Sequence, residues 1–244
     1  MNWLTQYLTR EGPGVPRTAP PKHGMALLAA VVRREWWTLI ELNLLLALVS
    51  LPVVTIPAAQ VAAMRICGQM LDDRNVYLLR DFWESFRSRF WRATVLGAVA
   101  LLAVGLSAYA AFVFAQAARG QLLFALPLAM SGASAVFFAL AAAYGFGLLA
   151  TSDLRLGRAI RLAVLAALAR PLPVLAAFAV IGVLWLLHIA LYPASIFMPA
   201  LINFSFGTLA VTFGVRKATA RLLAHSSARG SGATAGGSVQ PHAQ

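Results

Sequence analysis

Glu41 and Arg65 are oppositely charged residues inside otherwise apolar stretches of the sequence. A lone charge in hydrocarbon costs several kcal/mol, so such residues pair, reach the interface or line a path for ions. If both segments cross a membrane, the two residues lie about 7–10 Å deep on adjacent helices. We predict an intramembrane ion pair. The alternatives are that Glu41 faces water while Arg65 extends to the interface, or that both serve a transport pathway.

Asn43 shares the Glu41 segment, and Pro52 and Pro57 follow it in LVSLPVVTIPAA, residues 48–59. Pro52 lacks an amide donor and disfavours helix at Leu51, whereas Pro57 suits the first turn of a new helix. We therefore predict a break at which the chain turns back. An amide at this place is typical of contacts between membrane helices.

No residues in the sequence clearly indicate catalytic chemistry. Asp72, Asp73, Asp81 and Glu84 stand among arginines, where surface ion pairs are expected. The four histidines are scattered, the single cysteine is Cys67, and phosphate-loop, nucleophile-elbow and zinc-helix motifs are absent. We expect no enzymatic activity, no cofactor and no metal.

The composition predicts that these residues lie on membrane helices. Of the 244 residues, 60% are hydrophobic and 11% are charged, against about 45–50% and about 25% in soluble domains. The excess lies in long runs at 94–118, 122–150, 172–191 and 195–215, with an earlier run that begins near Trp37. Runs near 20 residues indicate transmembrane helices, so we predict an all-α, polytopic bundle.

Basic residues set the number of crossings. They concentrate before Trp37, in 65–92, in 155–170 and after Val215, whereas the turn near 119 has only Arg119. Basic flanks favour the cytoplasm, and every cluster falls there if 53–71 is itself a crossing. We predict about six crossings with both termini cytoplasmic. Five crossings plus a short or re-entrant helix are the alternative.

A basic, aromatic stretch follows the second predicted crossing. Its apolar residues recur at helical spacing, which predicts a cytoplasmic amphipathic helix at the membrane surface that binds lipid or a partner. The residues that we assign to this docking helix are Arg80, Asp81, Phe82, Trp83, Phe86, Arg87 and Phe90.

The ends differ in composition from the middle. Residues 1–24 are rich in proline and glycine, and residues 223–244 are small and polar, so we predict a flexible extension, a membrane domain at 25–222 and a disordered tail. The net charge of +12 is explained by contact with anionic lipid. We expect the lipid bilayer as a partner and no nucleic acid.

The stretches NLLLALVSLPVVTIPAAQVAAM (43–64) and RDFWESFRSRFWRAT (80–94) resemble the YesL-like family of bacterial integral membrane proteins. Ile56 stands where that family usually has glycine. The resemblance implies a bacterial inner-membrane protein without established enzymatic activity. It also implies a link to carbohydrate uptake, because family members often lie beside sugar-uptake genes. We therefore expect an accessory protein with sugar-transport components as partners. A small-molecule transporter or channel is the alternative.

Overall fold

The computed structural model describes residues 24–235, with side chains described up to residue 224 except at 200. Within this range the chain is helical and has no strand, which confirms the all-α prediction. The helices are α1 Met25–Val49, α2 Ile56–Leu71, α3 Leu78–Ala118, α4 Ala125–Thr151, α5 Leu156–Ala169, α6 Leu172–Ala190 and α7 Phe204–Ala235. Short 3-10 turns at Val53–Thr55 and Leu122–Phe124 precede α2 and α4, and a π-helical turn at Pro199–Asn203 precedes α7.

α2 lies at the centre of the bundle. Ten of its 16 residues are buried, and it packs against α1, α3, α4 and α7. Small side chains such as Ala58, Ala59, Ala62 and Ala63 let these four neighbours approach closely. α2 is therefore apolar because protein surrounds it.

α3 and α4 form an antiparallel pair that extends well beyond this core. One contact sets their level, because a Cβ atom built on Gly97 would lie 2.3 Å from Cγ of Pro57. The first half of α3 thus runs beside α2, and the second half runs clear of it. No side chain between 97 and 139 is buried. The part of α3 beyond Gly97 is about 32 Å long, close to the thickness of the hydrocarbon layer.

α5, α6 and α7 complete the bundle. α5 packs on α4 through buried alanines, including Ala159, Ala163 and Ala166. α6 and α7 run side by side, and Pro173 closely approaches Gly214.

Three helical segments in the described range are long and apolar enough to cross a membrane, namely Leu78–Ala118, Leu122–Thr151 and Leu172–Ala190. The prediction of about six crossings is therefore not confirmed. The 16 residues of α2 span about 24 Å, and protein covers most of its surface. Both features fit the re-entrant alternative better than a full crossing.

The predicted surface helix is not a separate element. Residues 78–118 form one helix of 41 residues, so the amphipathic stretch continues directly into an apolar one. Asp81 Oδ2 accepts a hydrogen bond from the Tyr77 amide at 3.4 Å and thereby supports the first turn. The stretch is amphipathic chiefly because one face of it packs against the bundle.

The predicted terminal segments lie mainly outside the described residues, which exclude 1–23 and 236–244. α7 continues to Ala235 and thus enters the segment 223–244 that was predicted to be disordered.

Gly97→Ala should destabilise the protein because the added methyl group would overlap the rigid ring of Pro57. We expect a loss of about 1–3 kcal/mol in the free energy of unfolding, measured by reversible unfolding in detergent micelles. Gly105→Ala is the matched control on the same helix, since no atom lies within 4 Å of a Cβ built there. Equal stabilities of the two variants would contradict the assigned contact.

Candidate functional site

The tip of the α1–α2 hairpin, residues 50–56, exposes apolar side chains, and several of its backbone amides are hydrogen-bonded within the hairpin. Leu51, Val53 and Val54 are 76%, 73% and 62% exposed. The amides of Ser50, Leu51, Thr55 and Ile56 donate to backbone carbonyls of the hairpin. This is the arrangement that hydrocarbon demands, because it offers no water to exposed backbone groups.

Thr55 completes the tip. Its hydroxyl donates to the carbonyl oxygens of Val49 and Pro52. These carbonyls lie at and beyond the end of α1, where intrahelical partners run out. Pro52 itself has no amide to satisfy. In the LPVVT turn, the Leu51 and Thr55 amides and the Thr55 hydroxyl thus donate to carbonyls of the hairpin itself.

Asn43 connects α1 to the start of α7. Its side chain is fully buried; Nδ2 donates to the Pro199 carbonyl at 3.1 Å, and Oδ1 accepts from the Ser205 amide at 2.8 Å. Both partners flank the π-helical turn, where the regular helical hydrogen bonds are interrupted. Asn43 thus holds the break in place, as predicted for an interhelical amide.

A line of polar residues runs between α2 and α7. At one end Gln60 Nε2 donates to Thr208 Oγ1 at 3.0 Å, and at the other Arg216 forms an ion pair with Asp72 at 3.1 Å. A cleft of about 320 Å³ includes this ion pair in its lining and is otherwise lined mainly by small and apolar residues from α2, α4 and α7. We call it the α2–α7 cleft. Its wall includes Met64, Gly68, Gly147, Thr151, Thr212 and Thr219.

The wall of this cleft offers hydroxyl groups that are already hydrogen-bonded. The hydroxyls of Thr151, Thr212 and Thr219 donate to carbonyls of their own helices. Within the described part of the chain, no three His, Cys, Asp or Glu side chains cluster as a metal site. An apolar wall with one ion pair at its mouth suits a small amphipathic molecule.

The basic end of the bundle is held by ion pairs. Arg34 contacts Asp73 at 2.8 Å and Glu35 at 2.9 Å, and it also donates to the Met70 carbonyl. Burial lowers the pKa of Arg34, but the hydrogen bonds to Asp73 and Glu35 outweigh burial and raise it above its ordinary value. These contacts fix α1 against the end of α2, next to the kink at Glu35.

Glu41 and Arg65 are not joined. The four ion pairs among the residues with described side chains are Arg34–Glu35, Arg34–Asp73, Arg89–Asp153 and Arg216–Asp72. Arg65 instead lies near enough to Arg89 for the two positive charges to interact. The charged residue on which Arg65 acts, Arg89, belongs to α3 and not to α1.

The residues assigned to the docking helix divide between two faces. Phe82 and Phe86 are buried in the core, and Phe90 packs against it. Trp83 is 52% exposed, and Arg80 and Arg87 are exposed. Asp81 accepts a hydrogen bond from Gln69 Nε2 at 3.1 Å. Only the tryptophan and the two arginines remain available to a lipid or a partner.

The α2–α7 cleft was not predicted, although the sequence holds a weak signal for it. Gln60, Met64, Gly68 and Asp72 are each four residues apart, and so are Thr208, Thr212 and Arg216. Such spacing places each set on one helical face. Nothing in the spacing shows that these two faces meet.

Asn43→Leu should destabilise the protein, because it removes two hydrogen bonds that join α1 to the start of α7, one of them to the buried Ser205 amide. We expect a loss of about 1–3 kcal/mol in the free energy of unfolding in micelles. Ser134→Ala is the control, since this exposed hydroxyl donates only to its own helix, at Met130; it should change stability by less than about 0.5 kcal/mol. If both variants unfold alike, Asn43 does not hold the π-helical turn.

Residues 39–110 match a protein family described as "Protein of unknown function, DUF624". The matched segment runs from the middle of α1 through α2 and most of α3. It thus includes Asn43, the tip and the Pro57–Gly97 contact. Neither the curated proteins nor the solved structures contain a match to this chain.

Proposed function

We propose that this chain is a non-enzymatic accessory protein of the bacterial inner membrane that acts by binding a membrane partner. The observation that carries the proposal is the α3–α4 hairpin. Its apolar crossings stand clear of the bundle, and none of the most apolar part of either is buried. A partner's transmembrane helices have a surface of full membrane length to pack against.

Small residues on this hairpin support helix–helix binding. Beyond Gly105 of α3 and Gly132 of α4 there is open space, with no atom within 4 Å of a Cβ built there. Small residues on lipid-exposed helices permit another helix to approach closely. Lipid is as apolar as the side chains, so this close packing, and not the hydrophobic effect, drives helices to associate.

The proposed orientation places the basic end of the bundle in the cytoplasm. Arg74, Arg80, Arg87 and the α5 arginines lie at this end, whereas the hairpin turn carries only Arg119. We propose that α3, α4, α6 and the start of α7 cross the membrane. The α1–α2 hairpin enters from the cytoplasm and returns. Both termini are then cytoplasmic.

The proposed partner is a component of a carbohydrate-uptake system. This step rests on the likeness of residues 43–64 and 80–94 to YesL-like proteins. The exposed apolar surface of the hairpin supports a partner that is itself a membrane protein.

A transporter is the second candidate, and the α2–α7 cleft favours it. The cleft is lined by α7 from Thr212 onward, and α7 begins after an irregular π-helical turn with a buried Asn203. Broken helices next to a cavity are typical of transporter binding sites.

The re-entrant hairpin is tested by single cysteines in a Cys67→Ala background, with an impermeant maleimide added to intact cells. We expect Gln121→Cys to be labelled from outside, and Asn75→Cys only after lysis. Val53→Cys should resist labelling in intact cells because the tip lies in hydrocarbon. Labelling of Val53→Cys from outside would mean that α1 crosses fully, and labelling of Asn75→Cys from outside would overturn the orientation.

The partner is tested with a photo-crosslinking residue at Leu106 or Leu126, each 68% exposed. We expect a covalent adduct with a membrane subunit of a sugar-uptake system, identified by mass spectrometry. The same probe at the buried Leu148 is the control and should give no adduct. Purified protein in liposomes should show no saturable sugar uptake.

Uptake by the purified chain alone would support the transporter and reject the accessory role. Adducts with lipid only, at both exposed positions, would reject the proposed interaction surface.

A further inference from the structure

Two arginines, one on α2 and one on α3, lie close enough to Arg89 for their charges to act on it. Arg65 belongs to α2, and Arg89 and Arg92 belong to α3. The charges of Arg65 and Arg92 both act on Arg89. Arg65 and Arg89 are each eight residues from the Pro57–Gly97 contact, so both lie about 12 Å below it. We call these three residues the arginine cluster.

Acidic residues compensate the cluster only in part. Arg89 Nη2 contacts Asp153 Oδ1 at 3.1 Å, and Glu84 is the other acidic residue that acts on Arg89. Two carboxylates and two further guanidinium groups thus act on the charge of Arg89. Arg65 and Arg92 form no ion pair among the residues with described side chains, and the Asp153 side chain is 82% exposed.

Buried donors in the cluster also lack acceptors. The Arg89 side chain is 9% exposed, yet its Nε atom has no hydrogen-bond partner in the described structure. Ser85 lies one turn earlier on the same face, is 1% exposed, and its hydroxyl also has no partner. Unpaired buried donors beside excess positive charge suit an anion with several oxygen acceptors.

The cluster lies where α3 changes from polar to apolar. Arg92 is the last charged residue before Arg119, and its neighbour Trp91 is 75% exposed. Tryptophan and arginine are typical of the level of lipid headgroups. An anion bound here would lie beside the start of an exposed apolar helix surface that can accept acyl chains.

We propose that the arginine cluster and Ser85 bind the phosphate of an anionic phospholipid. The guanidinium groups supply charge and paired donors, and the Ser85 hydroxyl supplies one more. The phosphate site is separate from the α2–α7 cleft, and it lies at the basic end of the exposed α3 surface. It gives the protein a preference among the lipids of the cytoplasmic leaflet.

The test uses the full chain in micelles that contain phosphatidylcholine, with phosphatidylglycerol added stepwise. The measured quantity is the phosphatidylglycerol fraction that gives half of the maximal rise in Tm. We expect Arg65→Gln and Arg92→Gln each to raise this fraction about 10-fold. Ser85→Ala should also raise the phosphatidylglycerol fraction at half-maximal effect. This change leaves the charge unchanged and removes a hydroxyl that has no partner in the protein, so a merely structural role would not produce that result.

Arg74→Gln is the control, because it removes the same charge from an exposed turn at the basic end of the bundle and should shift the fraction less than about 2-fold. Equal shifts for Arg74→Gln and Arg92→Gln would overturn the site in favour of diffuse attraction. Unchanged binding in all cluster variants would also overturn the site.

Sodium phosphate is the second ligand tested. If it alone gives the same Tm rise with the same arginine dependence, the ligand is free phosphate and the lipid assignment falls. Each variant's Tm in phosphatidylcholine alone verifies that it folds.

Discussion

The contact between Pro57 and Gly97 fixes where α2 lies along α3, and the positions of the neighbouring elements depend on it. A proline ring needs a partner without a side chain at this distance, and Gly97 provides one. Because the first turn of α2 is fixed there, α2 must run beside the basic half of α3 and not beside its apolar half. The α3–α4 hairpin consequently stands free of the bundle, and Arg65 comes to the level of Arg89.

The bundle distributes side chains as a membrane protein requires. Its interior combines small residues on α2 and α5 with larger apolar side chains such as Tyr144 and Leu148 and with hydrogen-bonded polar groups such as Asn43 and Thr208. Many of its large apolar residues face outward. Water does not drive such helices together, so close packing and interhelical hydrogen bonds must hold them. This explains why a single amide, Asn43, connects α1 to the break before α7.

The sequence predicted the helical class, the break at Pro52–Pro57 and the return of the chain, because these depend on local chemistry. It did not predict where α2 lies along α3. Hydropathy measures how apolar a segment is and not whether protein or lipid surrounds it. The same limit explains Glu41 and Arg65. Their equal depth followed from counting residues, but the identity of the facing helix depends on a packing contact. Likewise, helical spacing revealed an apolar face through Phe82 and Phe86 without showing that the chain itself covers it.

α2 is held at both ends, which bears on what the protein does. Pro57 fixes one end against Gly97, while Gln69 bonds Asp81 and the turn residue Asp73 bonds Arg34 at the other. Alternating access requires elements that slide or rock around a bound substrate. Here the helix that walls the α2–α7 cleft is joined to α1 and α3 by contacts that sliding would break. Contacts at both ends of α2 position the exposed α3–α4 hairpin relative to the arginine-rich end of the bundle. This arrangement favours an interaction protein over a transporter.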